Sequence, residues 1–191
     1  MTISMIQVTA EQQGRVSLIL HNIPGGVEKA INNAINRGLE KARTEASRKV
    51  SEVYVISQKD IRAEGNANLR KASGSGMAGE ISYSGAKIPM FRFNASPRRS
   101  GTGAVVSAAL MRSSAPTVLK SAFVATMKSG HTGIFERMTA KRFPIEEKMG
   151  LAVAQMGGNI DVTEHVEKEA QETIDKRLEH EIGRILDQAG G

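Results

Sequence analysis

Four groups of residues in this chain have types and spacings that could do chemistry. Gly74-Ser75-Gly76-Met77-Ala78-Gly79 fits the GxGxxG spacing of a loop that cradles a dinucleotide phosphate. His131 lies in a glycine-rich stretch with Ser129, Thr132 and Glu136 close by in sequence, the placement of a general base. His180-Glu181-Ile182-Gly183-Arg184 begins like a zinc-binding helix. Arg92, Arg98, Arg99, Lys87, Lys141 and Arg142 could line a phosphate-facing stripe, where each neutralised phosphate would add salt dependence.

Sequence context weakens three of these readings. A phosphate loop needs a strand before it and a helix after it, so that the phosphate meets the helix N-terminus. Here that order is reversed, and a flexible linker is the expectation; no GxxxxGK[ST] loop occurs. The position of the second zinc ligand is held by Arg184, whose charge repels a metal ion. His180 is better read as a residue near a helix C-terminus, where the dipole favours a cation. No GxSxG nucleophile elbow accompanies His131, whose imidazole is expected to pin a turn by hydrogen bonding. A small hydrolase around His131 and Glu136 is the weaker alternative. His21 and His165 stand alone. Phe91 and Phe93 flank Arg92 as in any half-buried strand, so backbone-only contact with nucleic acid stays open while sequence-specific single-strand binding is not expected.

The composition narrows the classes further. The 191 residues include no Cys and no Trp, with 4% aromatic and 40% hydrophobic residues. A chain of this length can bury roughly 70% of its unfolded surface, and the core must be built of Val, Ile, Leu, Met and Ala. Without Cys there are no disulfides, thiolate nucleophiles or sulfur-ligated metals, which fits maturation in a reducing cytoplasm. Neither metal nor cofactor is expected. No apolar run approaches the roughly 20 residues of a spanning helix, and the N-terminus lacks the pattern of a secretory signal. The expectation is a chain that acts where it is made, or is carried out inside a larger particle.

The net charge of +6 is unevenly spread. Residues 65–145 hold twelve basic residues and only two acidic ones, Glu80 and Glu136, whereas 146–191 hold five basic and eleven acidic ones. A basic middle and an acidic tail invite an anionic partner, either DNA or a neighbouring subunit.

The elements that must position these residues follow from periodicity. Val27, Ile31, Ala34, Ile35, Leu39, Ala42, Ala46 and Val50 recur at helical steps and predict a long helix over 26–53, with Asn22 as cap and Pro24 near its first turn. Gly38 costs that helix up to roughly 1 kcal/mol relative to Ala, and its thin alanine-rich face suits close packing. Residues 15–21 read as either strand or helix. Ser57 with Asp60 opens a short helix over 57–71. Antiparallel strands are predicted within 80–138, at 80–83, 87–93, 104–111 and 121–128, the last turning through Gly130 and Gly133 into 134–138, with a flexible loop at 94–103. A second long helix over 161–187 carries Val162, Val166, Ala170, Ile174, Leu178, Ile182 and Leu186, opened by Asp161 with Glu164 and ended by Gly190. The fold class is α+β, with antiparallel hairpins packed against two long amphipathic helices in a single domain spanning 1–191.

Four stretches taken together resemble the minor tail protein Z, or tail completion, family of tailed bacteriophages. They are VEKAINNAINRGLEKARTEASRKV (27–50), the segment from Tyr54 to Ala72, the run from SAFVATMKSGHTGIFERM to KRFPIEEKMG (121–150), and KRLEHEIGRIL (176–186). The SAFVATMKSGHTGIFER stretch is the most specific. What the resemblance implies is a non-enzymatic virion protein that finishes the head-proximal end of the tail. It would form a six-fold ring of its own copies between the tail tube protein and the tail terminator or head-tail connector, with no cofactor and no membrane. Arg92, Arg98, Arg99, Lys141 and Arg142 would then face either genomic DNA, non-specifically, or a neighbouring subunit. His131, Phe143 and Pro144 would be assembly contacts, with Pro144 stiffening an exposed loop. A nucleic-acid-binding assembly factor that does not stay in the particle is the alternative.

Overall fold

The computed structural model describes residues 2–101 and 103–190. In chain order these form β1 (Thr2–Gln7), α1 (Ala10–Leu20), α2 (Gly26–Val53), α3 (Gln58–Glu64), β2 (Asn66–Arg70), β3 (Ala78–Ser84), β4 (Lys87–Pro89) and β5 (Ser107–Ala108). They continue through β6 (Thr117–Val118), β7 (Ala122–Thr126), β8 (Thr132–Arg137), β9 (Ile145–Glu147), β10 (Met149–Ala152), α4 (Val153–Gly157) and α5 (Ile160–Gly190). Helices and small antiparallel sheets give the expected α+β class. No helix among the described residues is long and apolar enough to cross a membrane. The chain divides into two compact units, a helical one (Met1–Ala46, Ala67–Tyr83, Gly157–Gly191) and a strand-rich one (Ser47–Asn66, Ser84–Met156).

In the helical unit, the undecided stretch 15–21 is helix. Thr9 and Gln12 form a reciprocal capping box that starts α1 upstream of it. Val16 and Leu20 are buried while Leu18, which a strand would place beside them, is 76% exposed. α2 covers the predicted span but is not opened by Asn22. Two successive turns, Ile23 to Leu20 and Gly26 to Ile23, lead into it, and Gly25 supplies the positive φ (69°) between them. α5 is capped by Asn159 rather than Asp161, for the Asn159 side chain accepts from the Asp161 N–H at 2.9 Å. Its buried stripe runs from Val162 to Ile182 and then passes to Ile185, leaving Leu186 exposed. Each four-residue step gains about 40° around a helix, so the repeat has rotated off the core by that point.

Gly38 lies where α2 meets α5. A Cβ there would fall 2.8 Å from Ile174 Cγ1 and 3.3 Å from the Ala170 carbonyl, so the glycine that weakens α2 in isolation is what lets the helices approach. Gly79, the last glycine of the GxGxxG match, has the same role: a Cβ would meet Leu39 Cδ1 at 2.6 Å. It sits in β3, the central strand of a sheet with β1 and β2 beside it, and β1 pairs antiparallel from Thr2 with Tyr83 to Gln7 with Ala78. Tyr83 is buried, and its phenol oxygen has no hydrogen-bond partner among the described residues.

In the strand-rich unit, Ser57 caps α3 as predicted, accepting from the Asp60 N–H at 3.1 Å. The helix stops at Glu64 instead of residue 71. Gly65 is extended (φ −106°, ψ 136°), and a Cβ there would strike Val153 at 2.6 Å, so the chain leaves the helix and continues as β2. The strand expected over 87–93 ends at Pro89 and becomes a 3-10 turn over Met90–Arg92. Of 104–111 only Ser107–Ala108 is strand. The 94–103 loop is tied at its start by buried Ala95 and by two backbone hydrogen bonds between Ser96 and Ser107. The hairpin β7–β8 pairs Ala122 with Glu136 through Thr126 with Thr132, and β9 adds to β8. Ala95, Val106, Val124 and Ile134 form the small core beneath it. Tyr54 is buried here and bridges to Met111.

Candidate functional site

The hairpin turn at 127–131 is built by the Gly130 N–H donating to the Met127 carbonyl, with Gly130 at φ 84°. Gly133 has no special backbone angle. It is a buried strand residue whose missing Cβ leaves room for the Glu147 carboxylate, 2.4 Å from where that Cβ would be. Glu147 enters from β9, and His131 Nε2 donates to its Oε1 at 2.7 Å, while the ring stands edge-on to Phe135 at 6.4 Å. The imidazole therefore fastens the hairpin tip to the third strand. Thr132 is hydrogen-bonded to Thr126 at 2.9 Å, and Glu136 is ion-paired with Lys148, so neither joins His131.

The basic candidates fall into two groups. Arg92 is committed, its guanidinium 2.6 Å from Asp60. Arg98 and Arg99 occupy the 94–103 loop, and Lys141 and Arg142 the loop between β8 and β9; all four are exposed and, among the described residues, none has a carboxylate partner. Three arginines instead lie over phenylalanine rings: Arg98 over Phe91 at 5.7 Å, Arg137 over Phe123 at 5.1 Å and Arg142 over Phe143 at 5.6 Å. Such stacking holds the guanidinium flat against an apolar face and leaves its N–H edge free to donate outward. The β8–β9 loop is closed by the Met138 N–H donating to the Pro144 carbonyl at 3.1 Å. Phe143 is 62% exposed and Met138 57%, large apolar side chains in water beside unpaired cations.

A second polar centre escaped sequence reasoning. Glu181 of α5 is fully buried. Its carboxylate meets Arg177 at 2.6 Å, accepts from Asn33 of α2 at 3.0 Å and is ion-paired with Arg184. Burial pushes this carboxyl up, but the hydrogen bonds from Arg184 and Asn33 and the charges of Arg177 and Arg184 outweigh it, so its pKa lies below the ordinary 4.5. Arg184, which spoils the zinc reading, is thus the partner of Glu181. The spacing of Arg177, Glu181 and Arg184 at four and three residues was a visible signal for such a knot. Nearer the start of α5 a related one joins Glu45, almost fully buried, to Lys41 at 2.9 Å and His165 at 3.2 Å, with Lys41 also 3.1 Å from Glu169. Among the described residues no group of three or more His, Asp or Glu is placed to hold a metal ion.

The sequence model of one protein family, described as prophage minor tail protein Z, matches residues 20–189. The chain belongs to that family. The match runs from the last residue of α1 almost to the end of α5 and takes in the His131 hairpin, both basic loops and the Glu181 knot. A minor tail protein is a structural component of the phage tail, which places the chain in the tail of the virion. No curated protein and no solved structure matches the chain.

Proposed function

We propose that this member of the minor tail protein Z family completes the head-proximal end of the tail, as a non-catalytic ring of its own copies joining the tail tube to the terminator or head-tail connector. The observation that carries the reading is the family match over 20–189, together with the way the polar residues are used. His131 braces a hairpin against Glu147, and the buried carboxylates of Glu45 and Glu181 are neutralised by neighbouring cations. Arg98, Arg99, Lys141 and Arg142, unpaired among the described residues, and exposed Met138 and Phe143 lie instead on loops, where partners are met. Pro144 and Phe143 end the loop that carries Lys141 and Arg142, and they are the assembly contacts of this reading.

The test is quantitative mass spectrometry of purified particles. A constant, low ratio to the tail-tube protein, corresponding to one multi-copy ring per tail, is the expected result. Absence of the chain from intact infectious particles would overturn the proposal. The second reading, a nucleic-acid-binding assembly factor not kept in the virion, draws on exposed cations that have no carboxylate among the described residues, Arg98, Arg99, Lys141 and Arg142. It requires duplex binding by the free chain that falls steeply with salt, by a slope near one per phosphate neutralised.

A further inference from the structure

Two surfaces of the chain are opposite in charge, and each carries exposed apolar side chains. The first is the β8–β9 end of the hairpin sheet. Ala122 opposes Glu136, so the strands lead to Lys120 on one side and to Met138 and its loop on the other. Lys120, Arg137, Lys141 and Arg142 are exposed there without a carboxylate partner among the described residues, around exposed Met138 and Phe143. The second lies on the first four turns of α5. Asp161, Glu164, Glu167 and Glu172 are exposed and unpaired among the described residues, against Lys168 as the cation on this stretch. Positions 160, 161, 164 and 167 lie within one stripe of the helix, so the carboxylates share a face with Ile160, which is 64% exposed. Beside Glu167 an open groove of about 280 Å³ runs between β1 and α5, lined by Met5, Ile6, Val8, Ala170 and Gln171. Met5 is 66% exposed on its rim.

We infer that in the ring the β8–β9 loop of one copy docks on the N-terminal part of α5 of the next, with Phe143 entering the groove beside Met5 and with Lys141 and Arg142 meeting Glu164 and Glu167. The inference rests on the multi-copy ring proposed above and names its contact. A second copy is the occupant because it offers both complements at once. DNA would answer the cations but give Phe143 and Met138 no apolar surface to cover them, whereas the groove does. The contact is heterologous, since the two surfaces differ, and such contacts generate rings when the rotation closes.

The chain has no cysteine, so single substitutions give unambiguous cross-links. Chains carrying Phe143→Cys and chains carrying Met5→Cys are co-expressed and assembled into particles, and the particles are oxidised. A disulfide dimer joining positions 5 and 143, mapped by peptide mass spectrometry, is expected. Adding Lys141→Glu and Arg142→Glu to the first chain should cut its yield at least tenfold. Adding Glu164→Lys and Glu167→Lys to the second should restore it. All four residues are exposed, and unchanged thermal unfolding of the variants checks that they still fold. Particles holding several copies per tail but giving no 5–143 dimer would overturn this contact and leave the ring standing. A single copy per tail would remove the ring and the contact together. If the reversal at 141 and 142 weakens duplex DNA binding tenfold while the cross-link is unaffected, the basic loop belongs to DNA and the inference fails.

Discussion

The helical unit holds its buried carboxylates in ion pairs, whereas the strand-rich unit leaves many of its cations exposed and without a carboxylate among the described residues. Arg15 with Glu179, Lys41 with Glu45 and Glu169, Lys71 with Glu40, and Arg177 and Arg184 with Glu181 all pair within the helical unit. In the strand-rich unit Arg92, Lys148 and His131 find carboxylates, but among the described residues Arg98, Arg99, Lys120, Lys128, Lys141 and Arg142 do not. The contrast teaches that a residue's charge says little about its role until its partners are known. Buried and paired, charges fix which helix faces meet; exposed and unpaired, they remain available for a partner.

The contrast can be broken first where the helical unit is tightest. Ile174→Ala removes a fully buried side chain from the Gly38 crossing and should cost about 3 kcal/mol in denaturant unfolding. Gly38→Ala alone should also destabilise, and the double variant should cost less than the sum, because deleting Ile174 Cγ1 makes room for the new methyl group. Additive costs would show that the two residues do not limit the approach of α2 to α5.

Glu181→Gln should come next, at about 2 kcal/mol. That is below the usual cost of breaking a buried pair, because the side chains of Arg177 and Arg184 stay 39% and 33% exposed and keep water. The pH dependence follows from the same group. Its folded pKa lies below 4.5, so its contribution is fully present above that value and is lost as the pH falls through the folded value. Unfolding midpoints of the native chain should therefore decline below pH 4.5 more steeply than those of Glu181→Gln. Parallel declines would remove the knot from the account.

The smallest effect on stability belongs to the other side of the comparison. Lys141→Ala with Arg142→Ala should shift stability by no more than about 0.5 kcal/mol, while tail assembly in a complementation assay drops. A large loss of stability would mean that these cations act in the fold rather than at a partner.

Much of this division was legible in the sequence. The long helices announce themselves because apolar residues recur at helical steps over many turns in 27–50 and 162–182, and α2 falls on its predicted span. Elements set by a distant partner were not legible. β1 gains its meaning only from pairing with β3, more than seventy residues on. The end of α3 depends on Val153 crowding Gly65, and Gly133 is required by Glu147, a residue of another strand. At the candidate site, the position of His131 in a turn was readable, but its partner was not, since Glu136 is nearer in sequence and Glu147 nearer in space. The unpaired state of Lys141 and Arg142 could be suspected from a block of eighty residues with two acids, and no more than suspected until the partners of every other cation were placed.

The two buried tyrosines have a practical consequence. The chain holds no tryptophan and two tyrosines, Tyr54 in the strand-rich unit and Tyr83 in the helical one. Its ultraviolet emission is therefore a two-channel signal with one lamp in each unit. Tyr54→Phe leaves a probe that reports on the helices alone, and Tyr83→Phe one that reports on the strands. Because the Tyr83 hydroxyl has no hydrogen-bond partner among the described residues, its replacement should leave that unit's stability close to native. The order in which the two units loosen under heat or acid can then be read from two spectra, without attaching a dye.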